Sequence, residues 1–395
     1  MKNKIIITIL ICVCIVVSII GISMFLVFIN HSGEISVYED VYTPSIDGNK
    51  FIPGDYEVPE NEKEEKRTIS ITAVGDILLG RGVGGRIESQ NLGYQYPFAK
   101  VEEFMKADIV FGNLEEPITD STHSFNNVKN GGKYILKNNP ESIEAIRCAK
   151  FNVFSLANNH ILDFYEEGLT DTINILDENN IHYAGAGMNL ATARKPAIIE
   201  KNGLKTAVFA YTDMAEIVYR GNPQINFLAT DSRYGVAPRK MEYILEDIDK
   251  VKNEADLIIV SLHWGVEDSF NVQKEQREFA YKLLDSGVDI ILGHHPHRFQ
   301  GIEIYKGKPI IYSMGNLIFD QNDPENQEGF IVKMQYQEKK LIDFYLIPFR
   351  VIGKTQVVPV YNNDSSALLE RQKTLSQELN TQCEIKEGMI YYIIN

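Results

Sequence analysis

Six short polar clusters, each placed directly after an apolar, β-rich run, hold most of the chemistry available to this chain. They are Gly75-Asp76, Gly112-Asn113-Leu114-Glu115-Glu116-Pro117, Ala157-Asn158-Asn159-His160, His263-Trp264-Gly265, Gly293-His294-His295-Pro296-His297 and Met314-Gly315-Asn316. Imidazoles joined to Asp, Glu and Asn oxygens form a mixed nitrogen and oxygen set suited to zinc, manganese or iron. In a two-metal site such ions activate a water and clamp an oxyanion, and a histidine left off the metal can protonate a leaving group. A second chemistry needs no metal: Asp76 orients a histidine of the 294–297 run, and the pair moves protons at carbon. Each residue alone has a plainer reading. Asp76 suits a turn or helix cap, Asn158 and Asn159 suit a cap, and Glu116 reads as a solvated loop charge. His160 and His263 taken singly read as satisfied histidines, and Trp264 as packing or an apolar wall. Three histidines within five residues are harder to dismiss in a chain with 8 in all. His31, His123 and His182 have no such context and are assigned no role.

The elements that must position these clusters follow from hydrophobic period. Strands are expected at Ile69–Val74, Asp108–Phe111, Val153–Leu156, Ala207–Tyr211, Leu257–Leu262, Val288–Leu292 and Pro309–Ser313. Helices are expected at Glu141–Ala149, Tyr165–Asn179, Met241–Asn253 and Lys274–Ser286, with a hairpin at Phe330–Tyr336 and Leu341–Phe349. A weak helix at Ser366–Leu379 and a strand at Met389–Ile394 close the chain. This is an α/β layered pattern. Ligands of open α/β sheets bind at the carboxyl ends of the strands, so all six clusters are expected along one rim of one sheet.

Composition narrows the function. All 54 acidic residues follow residue 30, as do all but two of the 39 basic ones, so the net charge of −15 becomes −17 beyond that point. Such a body repels phosphate backbones, and no basic stripe argues for nucleic acid. Cys148 and Cys383 are the only cysteines outside the apolar N-terminal run and read as inert thiols, not a disulfide framework. Ile5–Ile29 carries no charge and, at about 1.5 Å per residue, is long enough to cross a hydrocarbon core of roughly 30 Å. Lys2 and Lys4 precede it while Glu34, Glu39 and Asp40 follow. The expectation is a cytoplasmic stub at 1–4, an uncleaved single-pass anchor at 5–29, a linker at 30–67 and a large extracellular domain. The domain itself is expected at 68–350, with a C-terminal extension at 351–395 packing on it.

The motifs in their order resemble the CapA family, the poly-γ-glutamate capsule biosynthesis proteins also called PgsA. The matching stretches are Ala73-Val-Gly-Asp76-Ile-Leu-Leu-Gly-Arg81, Gly112-Asn-Leu-Glu-Glu-Pro117, Leu156-Ala-Asn-Asn-His160 with Asp163, and Ala184-Gly-Ala-Gly187. They continue through His263-Trp-Gly-Val-Glu267, Gly293-His-His-Pro-His297, and Ser313-Met-Gly-Asn316 with Phe319-Asp320. The resemblance covers residues 68–350. It implies a four-layered sandwich of sheets flanked by helices, like that of calcineurin-type metallophosphatases, after one transmembrane helix. It further implies work at the outer membrane face beside a membrane-bound poly-γ-glutamate ligase complex, assisting synthesis or export of an anionic polymer. Carried over from metallophosphatases, the metal ligands are Asp76, Glu115, Asn159, His263, His295 and His297. His160 is the acid histidine, and Asp76 and His295 serve in the catalytic set. Arg81, Asn113, Trp264, His294 and Asn316 would face the substrate. The sequence departs from the phosphatase pattern at Leu78, where a histidine ligand is expected, at Asn113 in place of an aspartate, and at Ile161 after His160. The metal content therefore stays open between a pair of Mn, Zn or Fe ions, a single ion and none. Three functions remain: capsule assembly, extracellular metal-dependent phosphoester hydrolysis, and metal-independent epimerisation or hydrolysis of a peptide by an Asp/His pair.

Overall fold

A computed structural model of the chain describes residues 66–125, 134–216, 226–361 and 363–394. The expected stub, anchor and most of the linker lie outside the described residues. Among the described residues, no helix is long and apolar enough to cross a membrane.

The strands, in chain order, begin with β1 (Thr68–Ile77), β2 (Ile109–Leu114), β3 (Val153–Ser155), β4 (His182–Ala184), β5 (Ala186–Gly187), β6 (Ala197–Lys201), β7 (Leu204–Thr212), β8 (Gly235–Val236) and β9 (Leu257–His263). They continue with β10 (Ile290–His294), β11 (Ile302–Tyr305), β12 (Lys308–Ile311), β13 (Asn316–Ile318), β14 (Glu328–Gln337), β15 (Lys340–Ile352), β16 (Gln356–Pro359), β17 (Cys383–Lys386) and β18 (Met389–Tyr392). A ten-stranded sheet runs β17-β18-β15-β14-β1-β2-β3-β4, with β13 added on β1 and β16 on β15. A six-stranded sheet runs β11-β12-β10-β9-β7-β6.

Alternation along the strands stacks these sheets into four layers. Val74 of β1 and Val110 of β2 face one apolar cluster, shared with Ile146 and Leu169 from helices. Ile71, Ala73, Ile109 and Phe111 face the other way and meet Ile259 of β9 and Leu292 of β10 between the sheets. Ile258, Val260 and Ile291 point outward, onto Ile244 and Leu283 of the helices Met241–Val251 and Lys274–Asp285. Helix, sheet, sheet, helix is the resulting order, as the resemblance implied.

The single-sheet expectation is corrected here. β1, β2 and β3 belong to the larger sheet and β9, β10 and β12 to the smaller one, so the six clusters are shared between two sheets. Strands buried on both faces read as continuous apolar runs, which fix strand identity but not strand partners. Other differences are local. Asn316 opens a short strand, β13, parallel to β1, which was not expected. The helix Arg81–Ser89 was not expected, because Gly82, Gly84 and Gly85 dilute its helical signal. Cys148 and Cys383 are free, as expected.

Candidate functional site

β1 carries Asp76 to the rim through an irregularity in its pairing with β2 and β13. That distortion turns the side chain toward the smaller sheet. A Cβ on Gly75 would lie 1.8 Å from the Gly315 carbonyl oxygen, so only glycine permits this approach. The same holds at Gly293, where a Cβ would lie 1.8 Å from the Tyr312 oxygen. Beyond it, His295 and His297 sit at φ of 96° and 58°, a left-handed backbone that costs free energy in non-glycine residues. The strained turn aims the imidazoles of His294 and His297 at Asp76 and sets the His295 ring beside His263.

Asp76 is fully buried and surrounded by donors. Its Oδ1 accepts from Asn113 Nδ2 at 2.9 Å and lies 3.2 Å from His294 Nδ1. Its Oδ2 accepts from the His295 backbone N–H at 3.4 Å and lies 3.3 Å from His297 Nδ1. Burial works to raise this carboxyl, yet hydrogen bonds and charge from His294 and His297 hold it well below the usual carboxylate range. Burial works to lower His297, but Asp76 and the Asn316 side chain at 2.9 Å raise it, so the pair forms a buried ion pair.

Glu115 behaves oppositely. Burial, then the Asp76 charge, push its carboxyl well above the ordinary value against the hydrogen bond from Asn113. One oxygen accepts from Asn113 Nδ2, while Oε1 is buried without a hydrogen-bond partner. That oxygen is 3.7 Å from His263 Nε2, which is itself 3.0 Å from Asn159 Oδ1. Burial, then neighbouring His295, keep His263 well below its ordinary value, and the same causes, with His297 as the neighbour, pull His295 down to about 3. Both rings are therefore neutral and carry a lone pair, the form that ligates metal. Their centroids are 4.8 Å apart.

His160 is half a step outward. Its Nδ1 is 2.9 Å from Asp163 Oδ2, which also accepts the Leu136 backbone N–H at 2.8 Å. This fixes the ring and leaves Nε2 as the atom for proton transfer.

The structure thus brings together Asp76, Asn113, Glu115, Asn159, His263, His294, His295, His297 and Asn316, while His160 stands beside them. It does not bring in two others. Arg81 pairs with Asp320 at the rim and lies over Phe319, whose other neighbour is His297. Trp264 is fully buried in the core, its Nε1 donating to the Tyr312 carbonyl at 3.0 Å. Sequence reasoning also misplaced two residues. Glu116 is no solvated loop charge; it is fully buried and accepts the backbone N–H groups of Leu79 and Gly80 at 2.7 and 2.9 Å. Asn158 is no simple cap; it links the backbone of His160 and Ile161 to Asn113.

The donor set fits a divalent metal. Among the described residues, Asp76, Glu115 and His263 each offer a ligand atom within 4.8 Å of the others. Glu115 Oε1 lies 3.7 Å from His263 Nε2 and is buried without a partner, an unmet polar atom that a cation would satisfy; His263 Nδ1, His294 Nε2 and His295 Nδ1 are also buried without partners.

The bacterial capsule synthesis protein family PGA_cap matches residues 70–321, a span containing all six clusters. The PGA biosynthesis protein CapA of Bacillus subtilis is 32% identical over 349 residues, covering 87% of this chain and 87% of that protein. The capsule biosynthesis protein CapA of Bacillus anthracis is 31% identical over 298 residues, covering 74% and 68%. A probable polyglutamine synthesis accessory protein of Mycobacterium tuberculosis is 30% identical over 297 residues, covering 71% and 76%. Among solved structures, the calcineurin-like phosphoesterase YfkN of Bacillus subtilis aligns with a TM-score of 0.43 at 15% identity, over 80% of this chain and 99% of that one. A family match across well over half of the sequence, joined by relatives at 30% identity or above, establishes that the chain belongs to the bacterial capsule synthesis protein family.

Proposed function

We propose that this chain is a membrane-anchored accessory protein of poly-γ-glutamate capsule assembly, its domain outside the cell beside a membrane-bound ligase complex. The observation that carries the reading is the convergence of six motif clusters from two sheets on one buried polar site, all within the region the family shares. The names of the relatives support the polymer, and the uncharged run Ile5–Ile29 behind Lys2 and Lys4 supports the topology. A body of net charge −17 beyond residue 30 repels a polycarboxylate, so contact depends on the site or on bound cations.

Glu115, Asn159 and His263 are the residues that would hold a divalent ion of the Mn, Zn or Fe class, next to Asp76. When bound, such an ion supplies Lewis acidity and a more acidic water. The chain's own groups supply the rest. His297 and His294 keep Asp76 ionised, and Asp163 holds His160 ready to give or take a proton at Nε2.

Deleting the gene should abolish surface polymer, and the wild-type gene should restore it. An Asp76→Ala, His295→Ala double variant should not. Full restoration by that variant would remove the site from the function. Protease shaving of intact cells should release the domain; protection until lysis would overturn the topology. The metal-ligand cluster favours one second reading, a phosphodiesterase. Manganese-dependent turnover of bis(p-nitrophenyl) phosphate by the purified protein would establish it.

A further inference from the structure

We infer that this site takes one divalent cation, held by Glu115, Asn159 and His263, and that the Asn113 amide takes the place of a second cation between Asp76 and Glu115. The inference rests on the site's hydrogen bonds and not on the identity of the polymer.

The orientation of Asn113 is fixed by its neighbours. Asn158 Oδ1 accepts two backbone N–H groups, from His160 at 3.0 Å and Ile161 at 2.8 Å. Those groups can only donate, so the oxygen of Asn158 must face them. Its Nδ2 therefore points the other way, to Leu114 O at 2.8 Å and Asn113 Oδ1 at 3.2 Å. With its oxygen so committed, Asn113 turns its NH2 group to Asp76 Oδ1 at 2.9 Å and to Glu115 Oε2. Backbone donors thus determine, through two amides, that an N–H pair bridges the two carboxylates.

An amide NH2 group cannot ligate a cation, but it satisfies carboxylate oxygens as one would. Asp76 needs nothing more, because a carboxylate offers about four acceptor positions and four donors already surround this one. Leu78, where the phosphatase pattern would place another ligand, is fully buried in the apolar cluster of the larger sheet. The half of the site around Asp76 is closed.

The other half is open. Glu115 Oε1 has no partner and faces His263 Nε2, with Asn159 Oδ1 next to it and the partnerless His295 ring nitrogen nearby. That is one mixed nitrogen and oxygen set for one ion.

The test is stoichiometry. Full-length protein in detergent micelles is stripped with EDTA and reloaded with Mn2+. Bound metal is then counted by mass spectrometry after gel filtration, and the ion is examined by electron paramagnetic resonance. One Mn2+ per chain with the signal of an isolated ion is expected. Two per chain with a magnetically coupled signal, or none, would overturn the inference. Asn113→Asp, purified in Mn2+ and checked for fold by circular dichroism, should raise the count to two. A count that stays at one in a folded variant would remove Asn113 from its assigned role. Glu115→Gln should bring the count to zero. Loss of the capsule phenotype argument leaves these counts untouched, so the two readings fail separately.

Discussion

Two buried polar clusters on opposite sides of the smaller sheet show how differently this chain treats its interior charges. On the outer side, Glu303 of β11 is closed on every side. Tyr312 donates to it at 2.8 Å, Tyr281 at 2.5 Å, and Arg277 at 3.0 and 3.3 Å. None of these side-chain oxygens is left without a partner. On the inner side, the histidine-rich site keeps four buried atoms unmet and two histidines in left-handed backbone. A satisfied network rigidifies a fold, whereas an unmet one costs stability until a ligand fills it. The first cluster is therefore structure, and the second is a site.

The contrast is broken most severely at Glu303. Glu303→Ala strands a guanidinium and two hydroxyls, and a loss of about 3 kcal/mol is expected in urea unfolding. Manganese binding by the folded fraction should be unchanged. If binding fell while stability held, the outer cluster would belong to the site. The inner cluster should answer in the opposite way. Removing Glu115 as a ligand in Glu115→Gln should change metal-free stability little, because the deleted charge was already disfavoured by burial. Wild-type protein, however, should gain about 2.7 kcal/mol when Mn2+ reaches a hundred times its dissociation constant, and the variant should gain nothing. Thermal melts with and without Mn2+ measure both.

Glu116 lies between the two cases. One oxygen accepts two backbone N–H groups and the other has no partner. Burial pushes its carboxyl up to about 8 from an ordinary value of 4.5, against the two backbone donors. Between those values the folded chain keeps a proton that the unfolded chain releases. Its contribution is complete below pH 4.5 and is lost as pH rises toward 8, by at most about 1.4 kcal/mol per pH unit. Glu116→Gln keeps an acceptor for Leu79 and Gly80 and removes the titration. In EDTA, the variant should overtake wild type progressively from pH 5 to pH 8. Parallel stability curves would show that Glu116 is ionised in the folded protein.

Much of this site was legible beforehand, because glycine-flanked polar residues after apolar runs mark strand ends whatever the sheet. The histidines at 294, 295 and 297 and the carboxylates at 76 and 115 were found that way. What stayed hidden depends on contacts distant in sequence. Hydrophobic runs identified β1 and β10 as strands but not their separate sheets, because strands buried on both faces look alike. Glu116 looked like a loop charge because its two partners, Leu79 and Gly80, lie more than thirty residues earlier in an unexpected turn before a glycine-rich helix. The amide relay from Asn158 to Asn113 was equally invisible, since Asn158 alone suits a cap and its partner lies 45 residues earlier.

Trp264 offers the finest cut between the two clusters, because it stands where they meet. It follows His263 in sequence, so a place in the pocket wall was a reasonable expectation. Its ring instead lies in the core, stacked 6.2 Å from Tyr312, the residue whose hydroxyl completes the Glu303 network. Its Nε1 donates at 3.0 Å to the Tyr312 carbonyl, the oxygen that packs against Gly293 just before the three histidines. Trp264 therefore belongs to the structural side and reaches the site only through backbone. Trp264→Phe keeps most of the ring contacts and leaves one buried carbonyl unpaired, so a loss of about 1 kcal/mol is expected with the Mn2+ count still at one. A variant of unaltered stability that bound Mn2+ or polymer poorly would move Trp264 back into the pocket, and the boundary between the clusters would shift with it.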